Sequence, residues 1–220
     1  MNALTRKGDG VSDKSARPRR LPPAERRRQI VEAVNRVVAE QGVAGATVSR
    51  IAAAAGVSEG TLYVYFESRE QMLMAALDRL FERMAGLIDS APESDAPTML
   101  RDIARRHAQL MKTAGEDFTS PWIEFVAAGP YVGLREAIAQ TQTRAFEKVL
   151  AIVRRGQEEG TLRRDIDSRR LTWQWYTIVW AENLSSLMGL TEYIDEGHSQ
   201  YSLELLMRDA EVTPGLVPSV

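Results

Sequence analysis

The sequence predicts an all-α fold, with a small N-terminal helical unit followed by a larger helical domain. Three observations carry this reading. Apolar residues recur at helical spacing through most of the chain. No segment sustains a period-two alternation between turn pairs, so no sheet is expected. Glycine and proline punctuate the apolar runs, and capping residues stand ahead of several of them.

Taken in order, residues 1–21 lack periodicity and are rich in Gly, Ser, Asp, Lys and Arg, which predicts a disordered basic arm. Pro22 and Pro23 open the first helix, because proline is tolerated where the helical N–H has no partner. Ile30, Ala33, Val34, Val37 and Val38 then share one face, and Gly42 closes the run. Thr47 caps a short helix with Val48, Ile51, Ala52 and Ala55 apolar. Ala55-Gly56-Val57 is a tight turn, and Ser58 caps a second short helix that ends near Phe66. Ser68 with Gln71 makes a capping box for a fourth helix, whose stripe Met72, Leu73, Ala76, Leu77, Leu80, Phe81 and Met84 runs toward Ser90. Residues 22–90 thus form the first unit, and 91–97 reads as the boundary loop. Over 97–212 the pattern gives helices at about 97–114, 119–128, 131–158, 167–189 and 198–210, and 213–220 reads as a flexible tail.

Charge is distributed unevenly. Residues 1–66 hold 11 basic and 6 acidic side chains, for +5; the remainder holds 17 and 24, for −7. A basic end on an acidic body suits one face for a polyanion, although a solvated basic tail would give the same count. The absence of cysteine removes disulfides and thiolate chemistry. The polar start has no apolar h-region, and no run of about 18 apolar residues occurs, so neither a secretory signal nor a membrane span is expected. A cytoplasmic location follows by elimination.

The informative stretch is TVSRIAAAAGVSEGTLYVYF, residues 47–66. Two short capped helices around a glycine turn are the helix-turn-helix pattern. Gly56 supplies a backbone conformation that a Cβ opposes, and Ala52 is small where the helices cross. Ile51, Val57 and Leu62 would seal the core beneath. Ser58, Glu59, Gly60, Thr61 and Tyr63 would then face outward on a helix whose width fits the major groove of duplex DNA. Leu62 and Phe66 read as structural, and Tyr65 reads equally as a core residue or a phosphate contact.

GVSEGTLYVYFESREQML resembles the signature of the TetR family of bacterial regulators. ERRRQIVEAVNRVVAEQG and TVSRIAAAAG fit the same pattern in order and spacing, so the resemblance covers about residues 24–84. It implies an all-α homodimer with a three-helix DNA-binding unit and a C-terminal ligand and dimerisation domain. The usual role it implies is a repressor released from a pseudo-palindromic operator by a small molecule. It also implies residue roles. Thr47 matches the cap that touches phosphate, and Arg50 lies where it could reach DNA. Ser58, Glu59, Gly60 and Thr61 match the start of the recognition helix, and Tyr63 matches a phosphate-contacting tyrosine. Arg69 stands where lysine is common and keeps a positive charge beside the DNA backbone.

The C-terminal half concentrates aromatic mass at Trp122, Phe125, Trp173, Trp175, Tyr176 and Trp180. His107, Met111, Glu124, Phe146, Glu182 and Asn183 add apolar bulk and scattered polar groups. Together with the resemblance, this selects His107, Met111, Trp122, Glu124, Phe125, Phe146, Tyr176, Trp180 and Asn183 as candidates for a mainly apolar or aromatic effector's site. A packed core or a dimer contact accounts for any one of them equally simply. The run 167–189 is apolar on more than one face, and with Tyr201, Leu203, Leu205, Leu206 and Met207 it suggests a two-fold four-helix contact between subunits.

The alternatives are a constitutive or architectural DNA-binding protein without effector and, more remotely, a helical enzyme. No phosphate loop, HExxH or nucleophile–base constellation is visible, and His107 and His198 stand alone in sequence, so no catalytic residue, metal or cofactor is expected.

Overall fold

A computed structural model describes residues 21–128 and 133–212. Its helices are α1 (Pro23–Gly45), α2 (Val48–Ala55), α3 (Glu59–Tyr65), α4 (Arg69–Asp89), α5 (Ala96–Ala127), α6 (Leu134–Glu159), α7 (Ser168–Leu187), α8 (Thr191–Asp195) and α9 (His198–Ala210). Among the described residues there is no strand, only an isolated antiparallel bridge between Leu162 and Glu211. The basic arm, residues 1–20, and the tail, 213–220, lie outside the described residues.

The expected caps form. Thr47 Oγ1 accepts from Arg50 N, Ser58 Oγ from Thr61 N, and Ser68 Oγ from Gln71 N. Gln71 Oε1 in turn accepts from Glu67 N at 2.7 Å, so the capping motif at α4 binds two orphan donors. Gly42 interrupts the helical φ/ψ of α1 at φ +69°, and the chain resumes one further turn before α2. Gly56 is left-handed at φ +64°, as the turn between α2 and α3 requires.

Two cores result. The first is built from the α1 stripe, Ile51, Ala52 and Ala55 of α2, Leu62, Phe66, and the Met72–Phe81 face of α4. It also takes in Met111 and Phe125 of α5, Leu134 of α6 and Ile194 of α8. The second core holds Leu100, Ile103, Val149, Val153, Leu171, Trp175, Val179, Leu203 and Met207. α4 and α5 contribute to the packing of both.

Two expectations are corrected. The break expected near residues 114–119 is absent, and α5 runs continuously through Gly115 and Pro121. A single glycine costs a helix about 1 kcal/mol and does not end it, and burial of Pro121 and Phe125 holds the last turns in place. α8, five residues long, is too short to show a period and was not expected.

Candidate functional site

α2 and α3 are held on α1 by side chains that bind backbone carbonyls. Gln29 Nε2 donates to Ala55 O at 3.0 Å and Arg36 Nη2 to Ala54 O at 3.0 Å, which satisfies carbonyls at the end of α2. Asn35 Nδ2 reaches Ala76 O on α4 at 3.2 Å. Arg27 lies over the Phe66 ring, 4.8 Å from its centroid. The α3 surface is therefore presented by a stitched scaffold.

On that surface Thr47, Arg50, Ser58, Glu59 and Gly60 are exposed, Thr61 is half-buried, and Tyr63 is 52% exposed. Ser58 Oγ and Thr61 Oγ1 share a hydrogen bond at 2.9 Å, so both hydroxyls serve the cap. Arg50 Nη1 donates to Gly45 O at 2.9 Å. Arg69 is half-buried, and its Nε–H donates to Ala46 O at 2.7 Å while Nη2–H donates to Val43 O. Its guanidinium thus ties the start of α4 to the α1–α2 turn. Tyr65 is half-buried against the first core. Val64, which the sequence reading passed over, is the most exposed large apolar side chain among the described residues at 76%. It shares a helix face with Gly60, and the i, i+4 spacing was the signal available.

A cavity of about 420 Å³ lies among α4, α5, α6 and α7. Phe81, Trp122, Trp175, Tyr176 and Trp180 supply aromatic wall, and Met84, Ile88, Ile103 and Val179 aliphatic wall. Exposed Asp78, Glu82, Arg144 and Lys148 belong to its rim. His107 and Asn183 are buried polar side chains in its lining, with half-buried Thr141 and Gln142 on the α6 side. His107 Nδ1 lies 2.7 Å from Glu182 Oε2, and both side chains are almost fully buried. The tilted and edge-on contacts of Tyr176 with Phe146, Trp175 and Trp180 fix its ring, and burial raises its phenol pKa, so the hydroxyl stays protonated at neutral pH.

Of the nine residues selected from sequence, His107, Trp122, Tyr176, Trp180 and Asn183 line this cavity. The other four do not. Phe146 packs behind Tyr176, under Arg169. Met111 and Phe125 are buried in the first core with the α1 residues. Glu124 faces Gly42, where a Cβ would come within 2.9 Å of its Oε2. One helix thus carries cavity residues and α1-contacting residues on different faces. Sequence supplied their helical period but not the neighbour opposite each face. Among the described residues no group of three or more His, Cys, Asp or Glu could hold a metal, and no helix is long and apolar enough to cross a membrane.

A helix-turn-helix unit packed onto a cavity-bearing helical domain defines the class, and comparison with known proteins gives the family. The family model described as bacterial regulatory proteins, tetR family, matches residues 30–76. The nucleoid occlusion factor SlmA of Haemophilus ducreyi is 35% identical over 77 residues, 34% of this chain and 38% of that protein, so the chain aligns with little more than a third of this relative. The HTH-type transcriptional repressor KstR2 of Mycolicibacterium smegmatis is 29% identical over 178 residues, 70% of this chain and 80% of that repressor. The crystal structure of the regulator FadR from Bacillus subtilis in complex with stearoyl-CoA has a similar fold, with a TM-score of 0.68, 24% identity, and coverage of 82% of this chain and 97% of that one. Residues 30–76 thus match the tetR family model, and the fold resembles that of a putative TetR-family transcriptional regulator from Rhodococcus sp., with a TM-score of 0.70 and 25% identity over 83% of this chain and 99% of that one.

Proposed function

We propose that this chain is a dimeric, sequence-specific DNA-binding transcriptional regulator, a repressor whose hold on a pseudo-palindromic operator is released by a small, mainly apolar effector. The observation that carries the reading is the joining of a stitched helix-turn-helix surface to an apolar cavity through two shared helices, α4 and α5. Ser58, Glu59, Gly60, Thr61 and Val64 face the groove in this reading. Thr47, Arg50 and Tyr63 lie at its phosphate edges, and Arg69 sets the scaffold behind them.

Dimer formation is supported by exposed apolar side chains. Trp173, Leu184 and Met188 on or beside α7, and Tyr201 and Leu205 on α9, are all about half exposed or more. Such a stripe on two adjacent helices suits a two-fold contact. Two-fold symmetry then requires two half-sites, each read by one α3.

The effector must bind one dimer shape better than the other, since a ligand with equal affinity for both shifts nothing. α4 reaches from the first core at Met72 to the cavity at Ile88, and α5 from His107 at the cavity to Phe125 beside α1. An occupant that displaces either helix moves the unit carrying α3. KstR2 is named a repressor and FadR was crystallised with stearoyl-CoA, and both agree with this reading.

Selection of duplexes from a random library, followed by footprinting, tests the DNA half. Enrichment of an inverted repeat bound by two chains is the expected result, and an asymmetric site held by one chain overturns it. A constitutive DNA-binding protein, the rival reading, would keep the same operator affinity whatever fills the cavity.

A further inference from the structure

The cavity's polar end specifies more than an apolar guest. His107 and Glu182, 75 residues apart, meet inside the bundle at 2.7 Å, with side chains 1% and 2% exposed. Among the described residues, Glu182 Oε1 receives a long hydrogen bond from Gln200 Nε2, at 3.4 Å. Among the described residues His107 is the one cationic partner within ion-pair distance of Glu182. His107 Nε2 is buried with no hydrogen-bond partner among the described residues.

The cost of burying a net charge bears on what Nε2 offers. A buried pair with a net charge is costly, so the favoured states are neutral overall. One is a carboxylate beside an imidazolium. The other is a carboxylic acid donating to Nδ1 of a neutral imidazole. In both states the proton count places a hydrogen on Nε2. The only arrangement that bares Nε2 is a carboxylate receiving from Nδ1–H of a neutral ring, which leaves one uncompensated negative charge in the interior. Nε2–H is therefore a buried donor, and such donors are rarely left without an acceptor. His107 lines the cavity and Glu182 does not, so within the pair the imidazole is the member that borders a guest.

We propose that the cavity's occupant is an apolar molecule carrying a neutral carbonyl oxygen, which accepts from His107 Nε2–H, with Glu182 as the positioning residue that fixes this protonation and the ring's orientation. The proposal rests on the effector reading above and narrows it. A free carboxylate is disfavoured, because it would give the neutral His107–Glu182 pair and its guest together a net negative charge in the interior. An alkane fills the space but leaves Nε2–H unmet.

The test uses the full-length protein and three probes of equal carbon number: methyl nonyl ketone, undecane and undecanoic acid. Binding is read by the fluorescence of Trp122 and Trp180 on the cavity wall. The wild type should bind the ketone about tenfold more tightly than the alkane, and the acid no better than the alkane. The double variant His107→Phe with Glu182→Leu removes both partners, which avoids stranding a buried carboxylate. It should still bind the alkane, and its preference for the ketone should fall to about twofold or less. Nitrogen NMR gives a readout independent of any probe. The chain has two histidines, and His198 is exposed, so the His107 ring is readily assigned and should carry its proton on Nε2.

Equal binding of ketone and alkane by the wild type, or an acid that binds best, would overturn the carbonyl assignment while leaving the cavity as an effector site. A bare Nε2 in the NMR spectrum would overturn it as well. Failure of all three probes to bind would count against the effector reading itself.

Discussion

The helix-turn-helix unit and the cavity region are both all-helical, yet they are held together differently. Around α2 and α3 the polar ties run from side chains to backbone carbonyls: Gln29 to Ala55, Arg36 to Ala54, Arg69 to Ala46 and Asn35 to Ala76. Around the cavity side-chain pairs are added to such ties: His107 with Glu182 and Lys148 with Asp89, beside the bond from Trp175 Nε1 to Leu100 O. A tie to a carbonyl fixes the path of the chain, whereas a pair of side chains can follow helices that shift. Cavity walls also lack partner atoms on one side and so lose little when they move. The contrast separates a stiff reading surface from a compliant sensing one, coupled where α4 and α5 enter both.

The largest effect should come from truncating the fully packed side. Leu62 is completely buried beneath α3, and Leu62→Ala should cost about 2–5 kcal/mol in urea denaturation. Leu87 lines the cavity and is half-buried, so Leu87→Ala should cost only about 1 kcal/mol. Equal costs would erase the distinction between the two regions.

The compliant half contains one place without slack. A Cβ on Gly156 would lie 2.5 Å from Ala96 Cβ and 2.8 Å from Leu162 Cδ1, where α6 meets the start of α5. Gly156→Ala should therefore destabilise by about 1–3 kcal/mol. A neutral melting curve would show that α5 and α6 can separate freely even there.

Arg69 and Tyr63 sharpen the comparison within the reading surface. Arg69→Ala removes donors from the Ala46 and Val43 carbonyls, and should lower stability by about 1–2 kcal/mol. Operator affinity should fall with it. Tyr63→Phe should leave stability within about 0.5 kcal/mol and weaken all duplex sites by a similar factor. If Arg69→Ala left the melting point unchanged and altered only the salt dependence of DNA binding, the guanidinium would belong to the phosphate contact and not to the scaffold.

The smallest effect concerns Asp95, which caps α5 through Thr98 N at 2.7 Å. The hydrogen bond from the Thr98 backbone, and then that from its side chain, hold the Asp95 carboxyl below its ordinary value. With the folded pKa depressed, the contribution is full above the unfolded value and is lost as pH falls through the folded one. Asp95→Ala should cost about 1 kcal/mol at neutral pH. Asp95→Ser should keep most of the cap and remove its acid dependence, which melting temperatures measured between neutral and acidic pH would show.

Legibility in the sequence followed the range of the interaction. Thr47, Ser58 and Ser68 are read as caps because each bonds an amide three residues away. Gly56 is read as a turn because its left-handed backbone is a property of the residue itself. The α1 stripe was visible because burial on one face repeats at the helical period. The scaffold bonds of Arg69 were not legible, because the carbonyls it meets lie 23 and 26 residues earlier. Met111, Glu124 and Phe125 were grouped with the effector residues because composition reports apolar mass without saying which face it occupies.

The sequence by itself determined the first four helices, the caps of α2, α3 and α4, and the turn at Gly56, since these depend on contacts within a few residues and on backbone preferences. Only the tertiary structure decided that α5 is continuous through Pro121, that its Phe125 packs in the first core with α1 while its His107 opens on the cavity, and that His107 meets Glu182 across 75 residues. The physical reason is that a helical period fixes which side chains share a face, whereas the partner each face meets is set by how the helices pack, and packing is a sum over contacts from the whole chain.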